Sequence, residues 1–124
     1  MTTKLEALKE LAAKVEAGQC RPREIEDTAF NVWTERQNGH PRWYFASSAM
    51  KAYYGSLDAA KALHEVVLPT GMWAWQLWTD HNGVPTAVID GFAFSTPEVT
   101  ADNPARAWLL AILNALISME EANA

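Results

Sequence analysis

A tryptophan-rich segment followed by an Asn-Gly dipeptide constrains the fold of this chain more than any other feature. Residues 72–80 read Met-Trp-Ala-Trp-Gln-Leu-Trp-Thr-Asp, and residues 84–90 read Val-Pro-Thr-Ala-Val-Ile-Asp. Asn82-Gly83 lies between them and is a strong signal for a two-residue hairpin turn. Such a turn places Leu77 opposite Val88 and leaves apolar side chains on both faces of the hairpin. We therefore expect a small antiparallel sheet that is covered on both faces.

Length, charge and cysteine content narrow the class of protein. A chain of 124 residues with 49% apolar and 20% charged residues is typical of one globular domain. A net charge of −5 argues against binding to nucleic acid or to an anionic membrane surface. The single cysteine excludes an intramolecular disulfide and favours the reducing cytoplasm. No apolar run reaches the roughly 20 residues that span a bilayer, so we expect no membrane segment.

Helix start and stop signals divide the rest of the chain. Thr3 with Glu6 forms a capping box for a first helix that ends at Gly18. Pro22 opens a second helix, and residues 37–41 form the clearest loop. We expect one domain over residues 1–124, in which residues 1–50 are mainly helical with this loop, and residues 51–121 form a helix–hairpin–helix core.

The second half of the chain carries two further helix signals. Ser56 is the expected N-cap of a helix whose predicted buried stripe is Leu57, Ala60, Leu63 and Val67. Asn103 and Pro104 begin a final helix, over residues 105–119, that is apolar almost all round. Such a helix is either central to the domain or partly buried against another subunit.

Two segments remain ambiguous at this level. Residues 42–50 contain Trp43-Tyr44-Phe45, which has strand propensity but is too short to assign. Residues 92–94, Phe-Ala-Phe, are a candidate third strand after Gly91. The predicted fold class is α+β: a three-layer α/β/α sandwich with a small antiparallel sheet covered by helices on both faces.

The order of three motifs over residues 53–117 resembles small bacteriophage proteins of the phage ABA sandwich type. A Tyr-(small)-Ser-(apolar)-Asp-Ala-Ala helix start precedes a tryptophan-containing hairpin and a closing helix that begins Thr/Asn-Pro-Ala-(any)-Ala. The matching residues are Tyr54, Ser56, Asp58, Ala59, Ala60, Trp73, Trp75, Trp78, Asn103, Pro104, Ala105 and Ala107. The resemblance implies helices on both sides of a small sheet and a phage or prophage origin. It implies no assigned activity.

Signatures of catalysis, metal binding and cofactor binding are missing from the sequence. His64-Glu65 lacks the second histidine of a metalloprotease helix, and one cysteine with three scattered histidines does not suit a protein-only metal site. There is no Gly-x-Ser-x-Gly and no glycine-rich phosphate loop. We expect a protein without enzymatic activity, without a metal and without a cofactor.

A basic and aromatic segment is the best candidate for ligand binding. Residues 36–45 place two arginines and a histidine among three aromatic residues in an otherwise acidic chain. Aromatic rings stack on nucleobases, and guanidinium groups bind phosphates. In this hypothesis Arg36 and Arg42 contact phosphates, and His40 binds a phosphate or a base edge. The residues expected to stack on rings are Trp43, Tyr44 and Tyr54.

Ser56 is added to this candidate site because the Gly55-Ser56 helix start offers free N–H groups to a phosphate. The alternative at Ser56 is an ordinary N-cap, next to an Asp58 that would repel a phosphate. The alternative for the whole segment is that Trp43 and Phe45 are core residues and that both arginines are simply solvated.

Two functions follow from these features. In the first, a phage accessory protein binds and sequesters a nucleotide-type second messenger in the host cytoplasm to counter host defence, as a homodimer or higher homo-oligomer formed through the apolar final helix. In the second, the chain is a protein-interaction module, either a virion or morphogenesis accessory or an inhibitor docking on a host protein. Convergence of Arg36 and Arg42 in a concave pocket favours the first function. A flat surface with an exposed tryptophan, such as Trp78, favours the second.

Overall fold

Five helices and a three-stranded antiparallel sheet make up the computed structural model, which describes residues 3–68, 73–91 and 96–122. The elements in chain order are α1 (Lys4–Ala17), α2 (Pro22–Val32), α3 (Arg42–Tyr53), α4 (Leu57–Val67), β1 (Trp73–Thr79), β2 (Pro85–Gly91), β3 (Val99–Thr100) and α5 (Pro104–Ala122). The predicted α+β class, with a small antiparallel sheet and helices that cover it, is confirmed.

Helix α5 lies at the centre of the packing. It contacts α1, α3, α4 and all three strands, while α2 packs between α1 and α3. Every residue of α5 from Ala107 to Leu113 is buried, including the large side chain of Trp108. The apolar side chains on nearly all sides of α5 are therefore buried within the monomer.

Side-chain caps fix the helix ends where the sequence predicts them. Thr3 accepts a hydrogen bond from the N–H of Glu6 at 3.1 Å, and Gly18 ends α1 with a left-handed φ of 72°. The Ser56 hydroxyl accepts from the N–H of Ala59 at 3.1 Å. Asn103 accepts from the N–H of Arg106 at 2.8 Å, which begins α5 as predicted.

The predicted register of the hairpin is wrong by one residue. Leu77 lies opposite Ala87 instead of Val88, and Trp75 lies opposite Ile89. Ala87 and Ile89 are buried on the face toward α5, and the ring of Trp75 stacks on Trp108 there with centroids 4.3 Å apart. On the other face Trp78 is half-buried, and Ala74, Gln76 and Asp90 are exposed.

Asp80 is the physical reason for the shifted register. Its carboxylate accepts hydrogen bonds from the N–H groups of Asn82 at 2.8 Å and Val84 at 3.0 Å, and its own N–H donates to the Val84 carbonyl at 3.0 Å. These bonds enclose a loop of three residues, 81–83, in which only Gly83 is left-handed, with a φ of 82°. A two-residue turn of the usual Asn-Gly type needs two left-handed residues.

The candidate third strand at residues 92–94 falls outside the described residues; within them the third strand is β3, at Val99–Thr100. Val99 pairs with Ala87, and Thr100 with Thr86. Before β3, the buried Thr96 hydroxyl donates to the Ile89 carbonyl and accepts from the Ile89 N–H. The Thr96 side chain thus satisfies the N–H and carbonyl groups of Ile89, which a longer third strand would otherwise have paired.

In the helices, one ambiguous segment is assigned and one expectation is corrected. Residues 42–50, left open between strand and helix, belong to α3, because Ala46, Ala49 and Ala52 bury small side chains against neighbouring helices. Leu57, predicted to be buried, is 45% exposed because it is the first residue of α4. The buried stripe of α4 runs through Ala60, Leu63 and His64 instead.

Candidate functional site

Residues 36–44 form a tight turn followed by the start of α3. Asn38 and Gly39 are both left-handed, with φ of 51° and 81°, and Gln37 and His40 exchange backbone hydrogen bonds of 3.1 and 3.0 Å. This is the two-residue turn that an Asn-Gly dipeptide favours. The Asn38 side chain donates to the Val66 carbonyl at 2.7 Å, which fixes the turn against α4.

The aromatic residues after this turn are stacked in a defined order. The rings of His40 and Tyr44 are 4.2 Å apart and nearly parallel. Tyr44 meets Phe45 and Trp43 edge-on, at 5.8 and 6.4 Å. Phe45 is buried, but Trp43 is 62% exposed, so Trp43 is not a core residue.

The two arginines of the segment are both exposed, and each is anchored to backbone. Arg36 Nη2 donates to the Gly39 carbonyl at 3.1 Å. Arg42 Nη2 donates to the Phe30 carbonyl at 2.6 Å, and its guanidinium lies 4.8 Å from the centre of the Phe30 ring. A guanidinium has five N–H donors, so both arginines keep donors for a partner. We call Arg36, His40, Arg42, Trp43 and Tyr44 together the Trp43 surface.

Tyr54 and Ser56 lie at the other end of α3 from this surface. The 12 residues of α3 rise by about 18 Å at roughly 1.5 Å per residue. The Tyr54 hydroxyl donates to the Cys20 carbonyl at 2.8 Å, and partial loss of hydration raises the Tyr54 pKa, with a smaller contribution from Tyr53. The structure therefore places five of the seven predicted site residues on one turn and the start of α3, with ring contacts that join His40, Trp43 and Tyr44, and it separates Tyr54 and Ser56 from them.

A cleft of about 580 Å³ lies elsewhere, between the end of α1, β3 and one side of α5. We call it the β3 cleft. Its lining residues are Val15, Glu16, Ala17, Gly18, Val84, Pro97, Glu98, Val99, Thr100, Ala101, Asp102, Arg106, Leu110 and Asn114. Arg106 and Asn114 are two of the few polar residues of α5, and Leu110 lies between them at helical spacing. These polar interruptions of an apolar helix are the one sequence signal for the cleft.

Arg106 is the most highly connected residue of the β3 cleft. Its side chain is only 12% exposed, and Nε donates to the Tyr53 carbonyl at 3.0 Å. The guanidinium lies 3.9 Å from the centre of the Tyr53 ring, and Nη1 is 3.4 Å from the carboxylate of Asp102. A methyl group built on Gly18 would come within 3.3 Å of Nη1. Arg106 thus joins the ends of α1 and α3 to the start of α5.

Besides Tyr54, two titratable groups outside both sites have shifted pKa values. Burial lowers the pKa of His64, and Glu65 opposes this shift in part; His64 Nδ1 accepts a hydrogen bond from Trp108 Nε1 at 3.3 Å. Burial, and next Glu24, raise the pKa of the Cys20 thiol, which disfavours the reactive thiolate. Within residues 3–68, 73–91 and 96–122, no three His, Cys, Asp or Glu side chains come together as a metal-binding group.

Comparison of the chain with protein-family models, with curated proteins and with solved structures found no match. The resemblance to the phage ABA sandwich family stays a prediction. Among the helices of the described ranges, none has the length and hydropathy needed to cross a bilayer.

Proposed function

We propose that this chain is a protein-interaction module that docks on its partner through the Trp43 surface. The exposure of Trp43 is the observation that carries the proposal, because a tryptophan residue that is 62% exposed contributes little to the fold. Tryptophan, tyrosine and arginine are the residue types enriched at the energetic centres of protein interfaces. All three types lie next to each other at residues 42–44.

The Trp43 surface is also ordered before a partner arrives. Arg36 and Arg42 are held by backbone carbonyls, and His40 is stacked on Tyr44. Side chains that are already ordered lose less conformational entropy on binding, which raises affinity. The partner that fits this surface offers an apolar pocket for the Trp43 ring, with carboxylates at its rim for the two arginines.

The biological setting of this proposal comes from the family resemblance. A phage protein of this kind acts in the cytoplasm of the host, either as a virion or morphogenesis accessory or as an inhibitor of a host protein. Homo-oligomerisation is part of the same proposal, but the apolar residues of α5 no longer argue for it, because they are buried within the monomer.

A second candidate function is the sequestration of a nucleotide-type second messenger. The observation in its favour is that an exposed indole and two exposed arginines lie within residues 36–43, since a base stacks on an indole and a phosphate pairs with a guanidinium. Against it, Arg36 and Arg42 bond to carbonyls of different segments, and the β3 cleft is lined by other residues. Tyr54 and Ser56 are too distant to take part.

Affinity capture from a bacterial lysate, compared across matched variants, tests the proposal. The wild-type chain and Leu57→Ser retain the partner, whereas Trp43→Ser loses it. Leu57 is the matched control because it is also a large apolar residue with substantial exposure, 45%, and it lies at the start of α4, beyond the far end of α3. The captured partner is then purified, and its affinity for each variant is measured by calorimetry. We expect the melting temperature of Trp43→Ser to stay within roughly 2 °C of wild type, as for other exposed positions.

Three results decide the outcome. A partner that binds Trp43→Ser as tightly as wild type refutes docking through the Trp43 surface. A fall in melting temperature of many degrees shows that Trp43 belongs to the core. A cyclic oligonucleotide or ADP-ribose derivative that raises the melting temperature of wild type but not of Trp43→Ser establishes the second candidate; at a hundred times its dissociation constant such a ligand adds about 2.7 kcal/mol.

A further inference from the structure

We infer that β1 is the interface of a symmetric homodimer, in which it pairs antiparallel with β1 of a second copy of this chain. The strands are ordered β1-β2-β3, so β1 lies at one edge of the described sheet. An edge strand presents backbone N–H and C=O groups to which another strand can bond. The inference rests on the proposed function only in giving a surface to its homo-oligomer, and it is independent of docking through the Trp43 surface.

The hydrogen bonds of the hairpin decide which backbone groups of β1 face outward. Next to the loop, the N–H of Asp80 donates to the Val84 carbonyl at 3.0 Å, so these two residues are a hydrogen-bonded pair. Hydrogen-bonded and non-hydrogen-bonded pairs alternate along an antiparallel ladder. By this alternation Gln76 bonds to β2, whereas the N–H and C=O groups of Trp75 and Leu77 point away from it.

The backbone of β2 agrees with this direction. Ile89 lies opposite Trp75, and its N–H and C=O groups bond to the Thr96 hydroxyl on the side away from β1. Within the described part of the chain, no group bonds to the outward N–H and C=O groups of Trp75 and Leu77. These groups are therefore available to a strand added at this edge.

The sequence of β1 does not oppose such pairing. Proteins block exposed sheet edges with charged side chains, proline, bulges or very short strands. β1 is seven residues long, contains no charged residue, proline or glycine, and pairs with β2 without a bulge. The opposite edge is protected, since β3 has only two residues and lies between Glu98 and Asp102. Only the β1 edge of the described sheet is thus suited to strand addition.

The order of residues in β1 favours a second copy of the same strand as the occupant. Because Trp75 and Leu77 have the outward groups, two antiparallel copies pair over their full length when Gln76 lies on the two-fold axis. Trp75 then exchanges backbone hydrogen bonds with the partner's Leu77. On the opposite face of the sheet, Gln76 lies beside the partner's Gln76, and Ala74 lies beside the partner's Trp78.

The side chains that meet in this register are complementary on both faces. Trp75 is 45% exposed although its ring stacks on Trp108, and the partner's Leu77 covers part of that exposed surface. On the other face, the small and exposed Ala74 leaves room for the partner's Trp78, which is half-buried in its own chain. The two Gln76 amides can donate to and accept from each other. Cross-strand pairs of these kinds stabilise a sheet.

Charge also permits two copies to meet at β1. The net charge of −5 makes two copies repel each other at long range, but β1 itself is uncharged. Asp80, just after β1, uses its carboxylate within its own loop. In the antiparallel pair the two Asp80 residues lie at opposite ends of the ladder, about 27 Å apart at roughly 3.4 Å per residue, which exceeds a Debye length of about 10 Å.

Charge substitution at Gln76 tests both the interface and its register, because Gln76 is exposed in the monomer. Gln76→Glu and Gln76→Lys each place two like charges side by side at the two-fold axis. By sedimentation equilibrium we expect a reversible dimer for wild type, and a dissociation constant about ten-fold higher for each variant. An equimolar mixture of the two variants should dimerise as tightly as wild type, because each interface then joins opposite charges. Thr100→Glu, at an exposed position of β3, is the matched control and should dimerise like wild type.

Amide hydrogen exchange measured by NMR tests the backbone ladder directly. In the wild-type dimer we expect the N–H groups of Trp75 and Leu77 to be protected from exchange. In Gln76→Lys, at a concentration where it is monomeric, these two groups should lose their protection. The N–H of Trp78, which bonds to β2 by the same alternation, should stay protected and thereby show that the variant is folded.

Several results refute the inference. These are a monomeric wild type, a Gln76→Glu variant that dimerises as tightly as wild type, equal weakening by Thr100→Glu, and a mixture of the two Gln76 variants that stays monomeric. Protected Trp75 and Leu77 amides in a monomer mean that the chain covers its own edge. Loss of a captured partner by Gln76→Glu from a monomeric wild type means that the edge takes a strand of another protein, and both results exclude the second copy.

The dimer and the docking proposal fail separately. Trp43→Ser is expected to dimerise as wild type does, because Trp43 lies at the start of α3 and not in the sheet. A dimer that forms normally while Trp43→Ser still binds the captured partner refutes only docking through the Trp43 surface. A monomeric wild type that loses its partner on Trp43→Ser substitution refutes only the dimer.

Discussion

Substitution of Arg106 is the most direct test of how the ends of α1 and α3 are held against the start of α5. In Arg106→Met the Tyr53 carbonyl loses a charge-assisted hydrogen bond, worth about 1.5–3 kcal/mol, and the Tyr53 ring loses a cation partner worth about 1 kcal/mol. The methionine stem keeps part of the packing, so we expect a net loss of about 2–3 kcal/mol in the free energy of unfolding.

This loss converts into a measurable change of melting temperature. Unfolding entropy is about 2.1 cal/mol/K per residue, and the chain has 124 residues. The expected fall is therefore roughly 10 °C, measured by circular dichroism during heating and checked by urea titration. Arg106→Lys keeps the charge but not the planar fork, so its melting temperature should fall between those of wild type and Arg106→Met.

Asp102→Asn is the control for the exposed ion pair of Arg106. Asp102 is 88% exposed, and an exposed pair is worth less than about 1 kcal/mol. The melting temperature should change by only roughly 2 °C. The reasoning is refuted if Asp102→Asn lowers the melting temperature as much as Arg106→Met does. The ion pair, and not the bond to the Tyr53 carbonyl, would then provide the stabilisation. The reasoning is also refuted if Arg106→Met melts like wild type.

Two further predictions concern the sheet and its contact with α5. Burial lowers the pKa of His64 in the folded chain. As the pH falls below about 6.5, the unfolded chain therefore binds a proton that the folded chain does not. The free energy of unfolding then decreases by up to about 1.4 kcal/mol for each pH unit of acidification. His64→Gln keeps an acceptor for Trp108, and its melting temperature should fall less between pH 7.5 and 5.5; identical slopes would contradict this account. Gly91→Ala places a methyl group 2.8 Å from the Trp73 ring and should cost about 1–3 kcal/mol by denaturant titration. Combining it with Trp73→Leu should recover part of that loss, and simple additivity would show that the ring is not the obstacle.

Helix ends and the apolar stripe of α5 were predictable because local groups determine them. Thr3, Ser56 and Asn103 each cap the helix that follows, and the order of helices around the hairpin follows from these signals. The register of the hairpin was not predictable from the dipeptide alone. Asn38-Gly39 and Asn82-Gly83 have the same sequence but form different turns, because only the second follows an aspartate that binds two N–H groups of the loop.

The candidate site was predictable only where its residues are neighbours in sequence. Arg36 to Tyr44 lie together because one turn and one helix start carry them. Tyr54 is close to them in sequence, but the intervening residues form the helix α3, whose full length separates Tyr54 from the others. The β3 cleft joins three distant segments, and only their packing around Arg106 brings them together.

The central position of α5 has a consequence for the order in which the molecule folds. α5 is synthesised after α1, α3 and α4, yet it provides the surface on which all three pack. While the ribosome makes the earlier elements, their apolar faces have no permanent cover and depend on pairing with each other. The Arg106 bond to Tyr53 spans 53 residues, so its loop closes only after α5 has emerged. We therefore expect a helical intermediate with exposed apolar surface during synthesis, which is the stage at which the chain is most exposed to aggregation and to chaperone binding.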